Sequence, residues 1–339
     1  MILNSDIEEI IQSTNLSKEI TDLPILITGG TGFIGLWLVS ALNKMAVNKK
    51  IANSIFVLTT DKVKAANLFK TLSIINVSVI TIEELQNKIS NRTIEGFGYV
   101  FHCATSTKFN TNNRKNNFDQ SIDLTVKILK IIESTKMLPN FINLSSGAVY
   151  GPPATNFKFS ESNSQKNYNV PLTLYGKTKA NIEELIIEAD SKGILKGSNP
   201  RLFTFYGQGL TLNSHFAIGN FVYGALTKGV IEVNGSLETV RSYLYMTDLI
   251  IQLFSLLTKP TLNILHIGSA SAITIGELAT KVSEHFNKCP IILKNKNVDP
   301  NYYIPDVVNS SNYLGFREEI SLDTGLMRWK KSLINYKLN

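Results

Sequence analysis

Tyr175 and Lys179 stand four apart in the stretch "LYGKTKA", at the start of a helix-like run, "YGKTKANIEELIIEA". That spacing puts a phenol and an ammonium on one helix face. A phenol so placed is a candidate for moving a proton. The chain holds 12 Tyr and 34 Lys plus Arg among 339 residues. Such a pair therefore arises by chance about once, and it gains meaning only if other segments build a site around it. "INLSSGAVYG" supplies a second piece. Its apolar run delivers Ser145 and Ser146 to a strand end, where open α/β sheets bind ligands. Tyr175 follows on the next helix-like segment, so strand end and helix start can face each other.

The surrounding elements are of the kind that could hold these groups in place. "LPILITGG", "SIFVLTT", "VSVI", "YVFHCA" and "FINLSS" read as short buried strands. "FIGLWLVSALNKM", "KVKAANLFKTL" and "FDQSIDLTVKILKIIESTK" read as helices among them, and the alternation continues to "PRLFTFYG". Strands alternating with helices predict an α/β fold, a Rossmann-type doubly wound parallel sheet with right-handed crossovers. After about residue 207 the rhythm changes. "NSHFAIGNFVYGALTKG", "TIGELATKVSEHFN" and "LDTGLMRWKKSLINY" are helical, and "RSYLYMTDLIIQLFSLL" is a strand-like entry into a helix. This half predicts a smaller mixed α/β C-terminal substrate lobe. The expected division is a helical preface over 1–20, a dinucleotide-binding domain over 21–206, and a substrate lobe over 207–339 with room for some segments to return to the sheet.

"TGGTGFIG" places Gly29, Gly32 and Gly35 in a G-x-x-G-x-x-G spacing between a strand and a helix. Glycines there permit a tight turn and close approach of backbone to a pyrophosphate, and the helix N-terminus supplies amide donors. The second strand ends "VLTTDK". An acid at that end favours NAD, and a basic or hydroxyl cluster accommodates the 2′-phosphate of NADP. Thr59 or Thr60 occupies the acid position. Lys62 and the hydroxyls tilt toward NADP, while Asp61 could still serve NAD. The cofactor expectation is NAD or NADP, tilted slightly to NADP.

Hydrophobic residues make up 43% and charged residues 18%, which makes the chain globular rather than disordered. The net charge of +7 is scattered, with no basic block interleaved with aromatics. That argues against nucleic acid and suits anionic small molecules. The apolar run "LIIQLFSLL" is too short to span a bilayer, so no membrane role is expected. The N-terminus carries early acids and does not read as a secretory signal. Cys103 and Cys289 form no disulfide framework or metal spacing, which fits a reducing, cytoplasmic setting. His102, His215, His266 and His285 have no metal spacing, and no metal is expected. His102 reads as core and His215 as a substrate contact.

The ordered set of glycine loop, "FHCATS", "LSSGAVYG", "YGKTK", "RLFTFYG" and "RSYLYMTDL" resembles the extended short-chain dehydrogenase/reductases, the NAD-dependent epimerase/dehydratase family that works on nucleotide sugars. The resemblance runs from about residue 22 to about residue 330. It implies roles. Tyr175 would be the acid/base. Lys179 would hold the nicotinamide ribose and lower the phenol's pKa, since a nearby cation favours the phenolate. Ser146 would hydrogen-bond the reacting sugar oxygen. Gly29, Gly32 and Gly35, with Phe33 and Ile34, would line the pyrophosphate. Ala104, Thr105 and Ser145 would lie beside the cofactor, as would Thr60 and Lys62 at its ribose. Phe203 and Thr204 would approach the nicotinamide. Arg241 would grip the substrate's diphosphate, with Asn220 as a further substrate contact. A homodimer through two helices of the sheet domain is also implied.

The chain departs from the pattern in two places. Dehydratases of the family carry an Asp-Glu pair after the catalytic Ser/Thr, and here those positions are Gly147 and Ala148. Neither can transfer a proton, which argues against 4,6-dehydration. The family's acid near the adenine is absent, with Thr81 close to its place. Ser146, Tyr175 and Lys179 suffice for hydride transfer at C4 of a nucleotide-linked hexose, the cofactor carrying the hydride. Two reactions fit. One is a 4-ketoreductase of a 4-keto-6-deoxy sugar nucleotide, which the NADP tilt favours. The other is a 4-epimerase with tightly bound NAD. A non-catalytic dinucleotide-binding protein is a weaker alternative.

Overall fold

Short apolar runs, too brief to bury a helix, become the strands of one parallel sheet. The computed structural model describes residues 2–14, 20, 22–52, 54–105, 114–135, 137–151, 158–161, 173–214, 216–261, 264–295 and 298–337. Helix α1 (Asn4–Ser13) precedes β1 (Ile25–Thr28), α2 (Phe33–Val47), β2 (Ile55–Leu58), α3 (Lys62–Thr71) and β3 (Ser78–Ile80). Then come α4 (Ile82–Ser90), β4 (Tyr99–His102), α5 (Arg114–Glu133) and β5 (Asn140–Asn143). The two-residue β6 (Ser145–Ser146) leads into a 3₁₀ turn at Gly147–Tyr150, and α6 (Leu174–Ser191) and β7 (Lys196–Ser198) follow.

The six-stranded sheet has the order β3-β2-β1-β4-β5-β7, with every neighbour parallel. The order reverses between β1 and β4, which opens a crevice at their carboxyl ends. Apolar side chains cover both faces, as a parallel sheet requires. Ile27 and Val57 pack with Trp37 and Leu38 of α2, while Leu26 and Phe141 pack with Leu85 of α4, Ile128 of α5 and Ile182 of α6.

The second half continues through β8 (Pro200–Leu202), β9 (Phe205–Tyr206), α7 (Ala217–Thr227), β10 (Ile231–Asn234), β11 (Val240–Ser242) and β12 (Leu244–Tyr245). It ends with α8 (Met246–Ser255), β13 (Leu265–Ile267), β14 (Ala272–Thr274), α9 (Ile275–His285), β15 (Ile291–Asn295), β16 (Tyr302–Tyr303), α10 (Val308–Leu314) and α11 (Leu322–Lys337). Some of these segments return to the first half. β8 lies between β6 and β13, so the strand bearing Ser146 is braced by chain beyond residue 260. α8 packs against α1. β11 pairs with β14 and β16, and β10 with β15.

Two elements differ from the sequence reading. The sixth strand is Lys196–Ser198, which carries no apolar run, while "PRLFTFYG" divides into β8 and β9 outside the main sheet. Helix α4 was not foreseen, yet a capping box starts it. Thr81 Oγ1 accepts from Glu84 N–H at 3.3 Å, and Glu84 accepts from Thr81 N–H at 3.0 Å. Among the described residues no helix is long and apolar enough to cross a membrane, and no three His, Cys, Asp or Glu could share a metal. His215 lies outside the described residues.

Candidate active site

The glycine loop closes on itself. Gly29 has a φ of +67°, and a Cβ there would stand 2.9 Å from the Ala104 nitrogen. A Cβ on Gly35 would stand 2.2 Å from the Gly29 oxygen. Gly32, exposed, is the N-cap of α2 and has no side chain to cap it. The first amides of α2 are therefore left without a side-chain partner at the mouth of the crevice, which is the donor set a pyrophosphate needs. These residues fit a dinucleotide. Phe33 and Ile34 are half-buried at the same helix start.

A neutral histidine fixes the next strand end. Thr125 Oγ1 donates to the Ser121 carbonyl at 2.9 Å, so at 2.9 Å it accepts from His102 Nε2. His102 Nδ1 is then an acceptor for Thr28 Oγ1 at 2.9 Å, and Thr28 in turn accepts from Ala104 N–H at 3.1 Å. Burial holds this imidazole down to about 3, so it stays neutral. The chain of bonds sets Ala104 and Thr105 beside the glycine loop.

Ser146 begins the 3₁₀ turn and accepts from Ala148 N–H at 3.1 Å. Helix α6 is capped by Thr173, which accepts from Gly176 N–H at 3.0 Å. Gly176 lets α6 sit directly on that turn, for a Cβ there would stand 2.3 Å from the Ala148 oxygen. This contact seats the start of α6, with Tyr175, on the Ser146 turn, and Ser146 favours the Tyr175 phenolate. Lys179, one helical turn further, is 3% exposed. Its Nζ lies 5.9 Å from the Tyr175 ring centroid and donates to Thr105 Oγ1 at 2.8 Å and to the Leu144 carbonyl. The two contacts leave a third N–H. Burial pulls the ammonium down to about 8, against the opposing effects of Cys103 and Glu183.

The expected lowering of the Tyr175 pKa is not what the geometry gives. Burial raises it, and only Ser146 opposes. Lys179 spends its charge on Thr105 and a carbonyl instead of on the phenol oxygen. Ser145 also differs from expectation. Its hydroxyl is turned into the core onto Glu183, so any contact with a cofactor falls to its main chain. Lys62 pairs with Glu84 at 2.6 Å, and Asp61 caps α3 through Lys64 N–H at 2.9 Å, while Thr60 is exposed.

A cavity of about 390 Å³ is lined by Thr204, Phe216, Asn220, Phe221, Arg241 and Asn301, among others. Asn301 aims the Arg241 guanidinium with its side-chain oxygen at 2.8 Å and its carbonyl at 3.2 Å. Asn220 donates to the Ser214 carbonyl at 2.7 Å, and its Oδ1 is buried with no partner among the described groups. Phe203 is buried between Phe159 and Tyr303. Three residues were missed from the sequence: Glu183 and Arg201, which brace Ser145, and Tyr303, which reaches Gly147 from β16.

Residues 25–268 match the family model described as "NAD dependent epimerase/dehydratase family". The chain is 27% identical over 326 residues to dTDP-4-dehydro-6-deoxyglucose reductase of Escherichia coli, covering 91% of this chain and 97% of that protein. It is 24% identical over 321 residues to UDP-glucuronic acid decarboxylase 1 of Arabidopsis thaliana, covering 94% and 71%. The crystal structure of UDP-glucose 4-epimerase with UDP-glucose from Thermotoga maritima superposes with a TM-score of 0.73 at 23% identity, over 93% of this chain and all of that one. With its glycine cradle, its reversal point between β1 and β4 and its Ser-Tyr-Lys cluster, the chain belongs to the NAD-dependent epimerase/dehydratase family of nucleotide-sugar enzymes.

Proposed function

We propose that this protein is an NAD(P)-dependent oxidoreductase acting at C4 of a nucleotide-linked hexose, working as a 4-ketoreductase on a 4-keto-6-deoxy sugar nucleotide. One observation carries the reading. Helix α6 seats on the Ser146 turn and holds Lys179 Nζ 5.9 Å from the Tyr175 ring centroid, while Gly147 and Ala148 supply no acid. The near full-length likeness to a dTDP-4-dehydro-6-deoxyglucose reductase agrees with it.

A bound nicotinamide dinucleotide would supply the hydride. Gly29, Gly32, Gly35, Phe33 and Ile34 would hold its pyrophosphate. Lys179, Ala104, Thr105 and the Ser145 main chain would hold its nicotinamide half, with Phe203 and Thr204 at the ring. Thr60 and Lys62 would meet the adenosine ribose. A 2′-phosphate would compete with Glu84 for Lys62, so NAD and NADP both stay in the proposal. Arg241 and Asn220 would bind the substrate diphosphate and sugar from the 207–339 lobe. Ser146 would orient the C4 oxygen, and Tyr175 would give it a proton as the carbonyl becomes an alcohol. The assembly would be a cytoplasmic homodimer through α5 and α6, where Ile187 is 47% exposed. A 4-epimerase would use the same three groups and hold NAD tightly.

Denaturing the purified protein and identifying the released nucleotide by mass tests the reading. Release of no nucleotide or of NADP, with NAD(P)H consumed on a 4-keto sugar nucleotide, supports the reductase. Near-equal NAD with no NAD(P)H consumption on any keto sugar overturns it in favour of the epimerase. Tyr175→Phe should abolish turnover and spare dinucleotide binding.

A further inference from the structure

Strands β2 and β3 pair in parallel with Leu58 opposite Ile80, and Thr59 N–H donates to the Ile80 carbonyl at 3.0 Å. The chain leaving β3 therefore runs beside the chain leaving β2. Helix α4 starts next to the place where a dinucleotide-binding sheet ordinarily supplies an acid to the adenosine ribose. Glu84, in the first turn of α4, bridges the two chains. Its Oε1 accepts from Lys62 Nζ at 2.6 Å, and its Oε2 accepts from Thr81 N–H at 3.0 Å.

The other groups at the end of β2 are engaged locally. Thr59 Oγ1 accepts from Asp61 N–H at 3.2 Å. Asp61 turns its Oδ1 back onto Lys64 N–H at 2.9 Å and so caps α3. Thr60 offers a hydroxyl and no charge. Lys62 and Glu84 are left to decide what the end of β2 accepts. The capping box fixes Glu84, so its carboxylate cannot swing away without giving up a bond at the start of α4. The pair lines a cavity of about 440 Å³, together with Lys88 and over Phe56 and Ile80.

We propose that Glu84 selects NAD over NADP: it accepts from the adenosine ribose in place of the acid that β2 lacks, and it withholds Lys62 from a 2′-phosphate. The inference rests on the reading of the glycine loop as a dinucleotide site, and it narrows the cofactor of that reading. A ribose 2′-hydroxyl can donate, and an ionised carboxylate only accepts, with about four lone-pair sites. Glu84 uses two of them on Lys62 and Thr81, so it retains capacity for a hydroxyl. A phosphate monoester instead brings strong acceptor oxygens and a charge of about −1.5 to −2. Beside Glu84 it meets a second anion whose ammonium partner is already in use. Lys62 can serve the phosphate only by leaving Glu84, and the carboxylate then faces the phosphate unpaired. Lys88 is a further cation on the same cavity. Removing the Glu84 charge therefore turns the local balance toward NADP.

Calorimetric titration of the full chain with NAD and with NADP tests this, and it needs no sugar substrate. Wild type should bind NAD at least about tenfold more tightly than NADP, the scale of one close charge contact. Glu84→Gln is the variant of choice, because glutamine at that position keeps the capping box and loses the charge. It should move the ratio of the two dissociation constants about tenfold toward NADP. In a Lys62→Met background the same change should give a clearly smaller shift, since the freed ammonium supplies part of it. A wild type that prefers NADP, a ratio that Glu84→Gln leaves unmoved, or a shift just as large without Lys62 overturns the proposal while the dinucleotide reading stands. If the wild type binds neither dinucleotide, both fall together.

Discussion

Arg201 grips Glu183 with two hydrogen bonds, 3.0 Å from Nε and 2.7 Å from Nη2, in a core where each residue is 4% exposed. Glu183 also receives the Ser145 hydroxyl, and the Arg201 guanidinium lies 4.7 Å over the Tyr150 ring. The pair therefore anchors both ends of the segment that presents Ser146.

Breaking one side of this pair leaves a buried charge alone. Glu183→Gln and Arg201→Met should each cost about 3–5 kcal/mol. Glu183→Leu with Arg201→Met removes both charges and should cost less than either single change. Urea unfolding measures this. Single-variant losses under about 1 kcal/mol, the range of exposed pairs, would contradict the anchoring role.

The glycines of the loop should separate folding from binding. Gly35→Ala forces a Cβ to 2.2 Å from the Gly29 oxygen, so the fold itself should suffer. At Gly32 the nearest atom to a Cβ is 3.2 Å away. Gly32→Ala should keep the melting temperature within a few degrees and weaken NAD(P) binding at least about tenfold, or ~1.4 kcal/mol. Calorimetric titration with NAD and NADP reads this. Wild-type affinity in Gly32→Ala would remove the loop from the cofactor site.

Lys179 should set an alkaline limit. It is charged below about 8 and neutral above. On the proposed reading, keto-sugar reduction would need that charge together with a protonated Tyr175, whose own proton is held above the usual range. The rate should hold through neutral pH and fall as pH rises past about 8. Lys179→Met should be slow and lack that limb. A wild-type profile flat to pH ~10, the ordinary range of tyrosine and lysine, would refute the assignment.

Buried neutral histidine should make stability acid-sensitive. A histidine in the unfolded chain takes a proton near 6.5, while His102 holds off until about 3. The unfolded state binds more protons in that window, so this residue's contribution is complete above about 6.5 and drains away as pH falls. Asp248, pushed up to about 6, acts in the opposite sense, so the comparison must be between variants. His102→Gln should lose stability at pH 7, and its deficit should shrink by up to about 1.4 kcal/mol per pH unit on acidification. Parallel melting curves for both proteins at all pH values would rule this out.

The sheet was legible because "LPILITGG" and "YVFHCA" are buried on both sides and so read as apolar runs. β7 was not, since "KGS" has no such run and is held by pairing with β5. Helix α4 does carry a local signal, Thr81 with Glu84 three residues on, which marks a helix start. The Tyr175–Lys179 spacing predicts one helix face, and Lys179 Nζ does lie 5.9 Å from the Tyr175 ring centroid. The spacing could not show that the ammonium turns to Thr105, because that partner lies in the loop after β4, 74 residues away in sequence. Glu183, Arg201 and Tyr303 were hidden for the same reason. Each is defined by a neighbour far away in sequence.

Helix α1 carries a consequence for how the chain matures. Asp6 is fully buried and held by Gln208 at 2.9 Å, Tyr245 at 3.0 Å and Arg328 at 2.9 Å. A ribosome emits Asp6 at the outset and Arg328 only when α11 is made. The first helix therefore cannot lock fully into place before α11 is made, and its carboxylate waits that long for its counter-ion. Closure of this side of the molecule therefore waits for α11, and a fusion that restrains α11 should delay it.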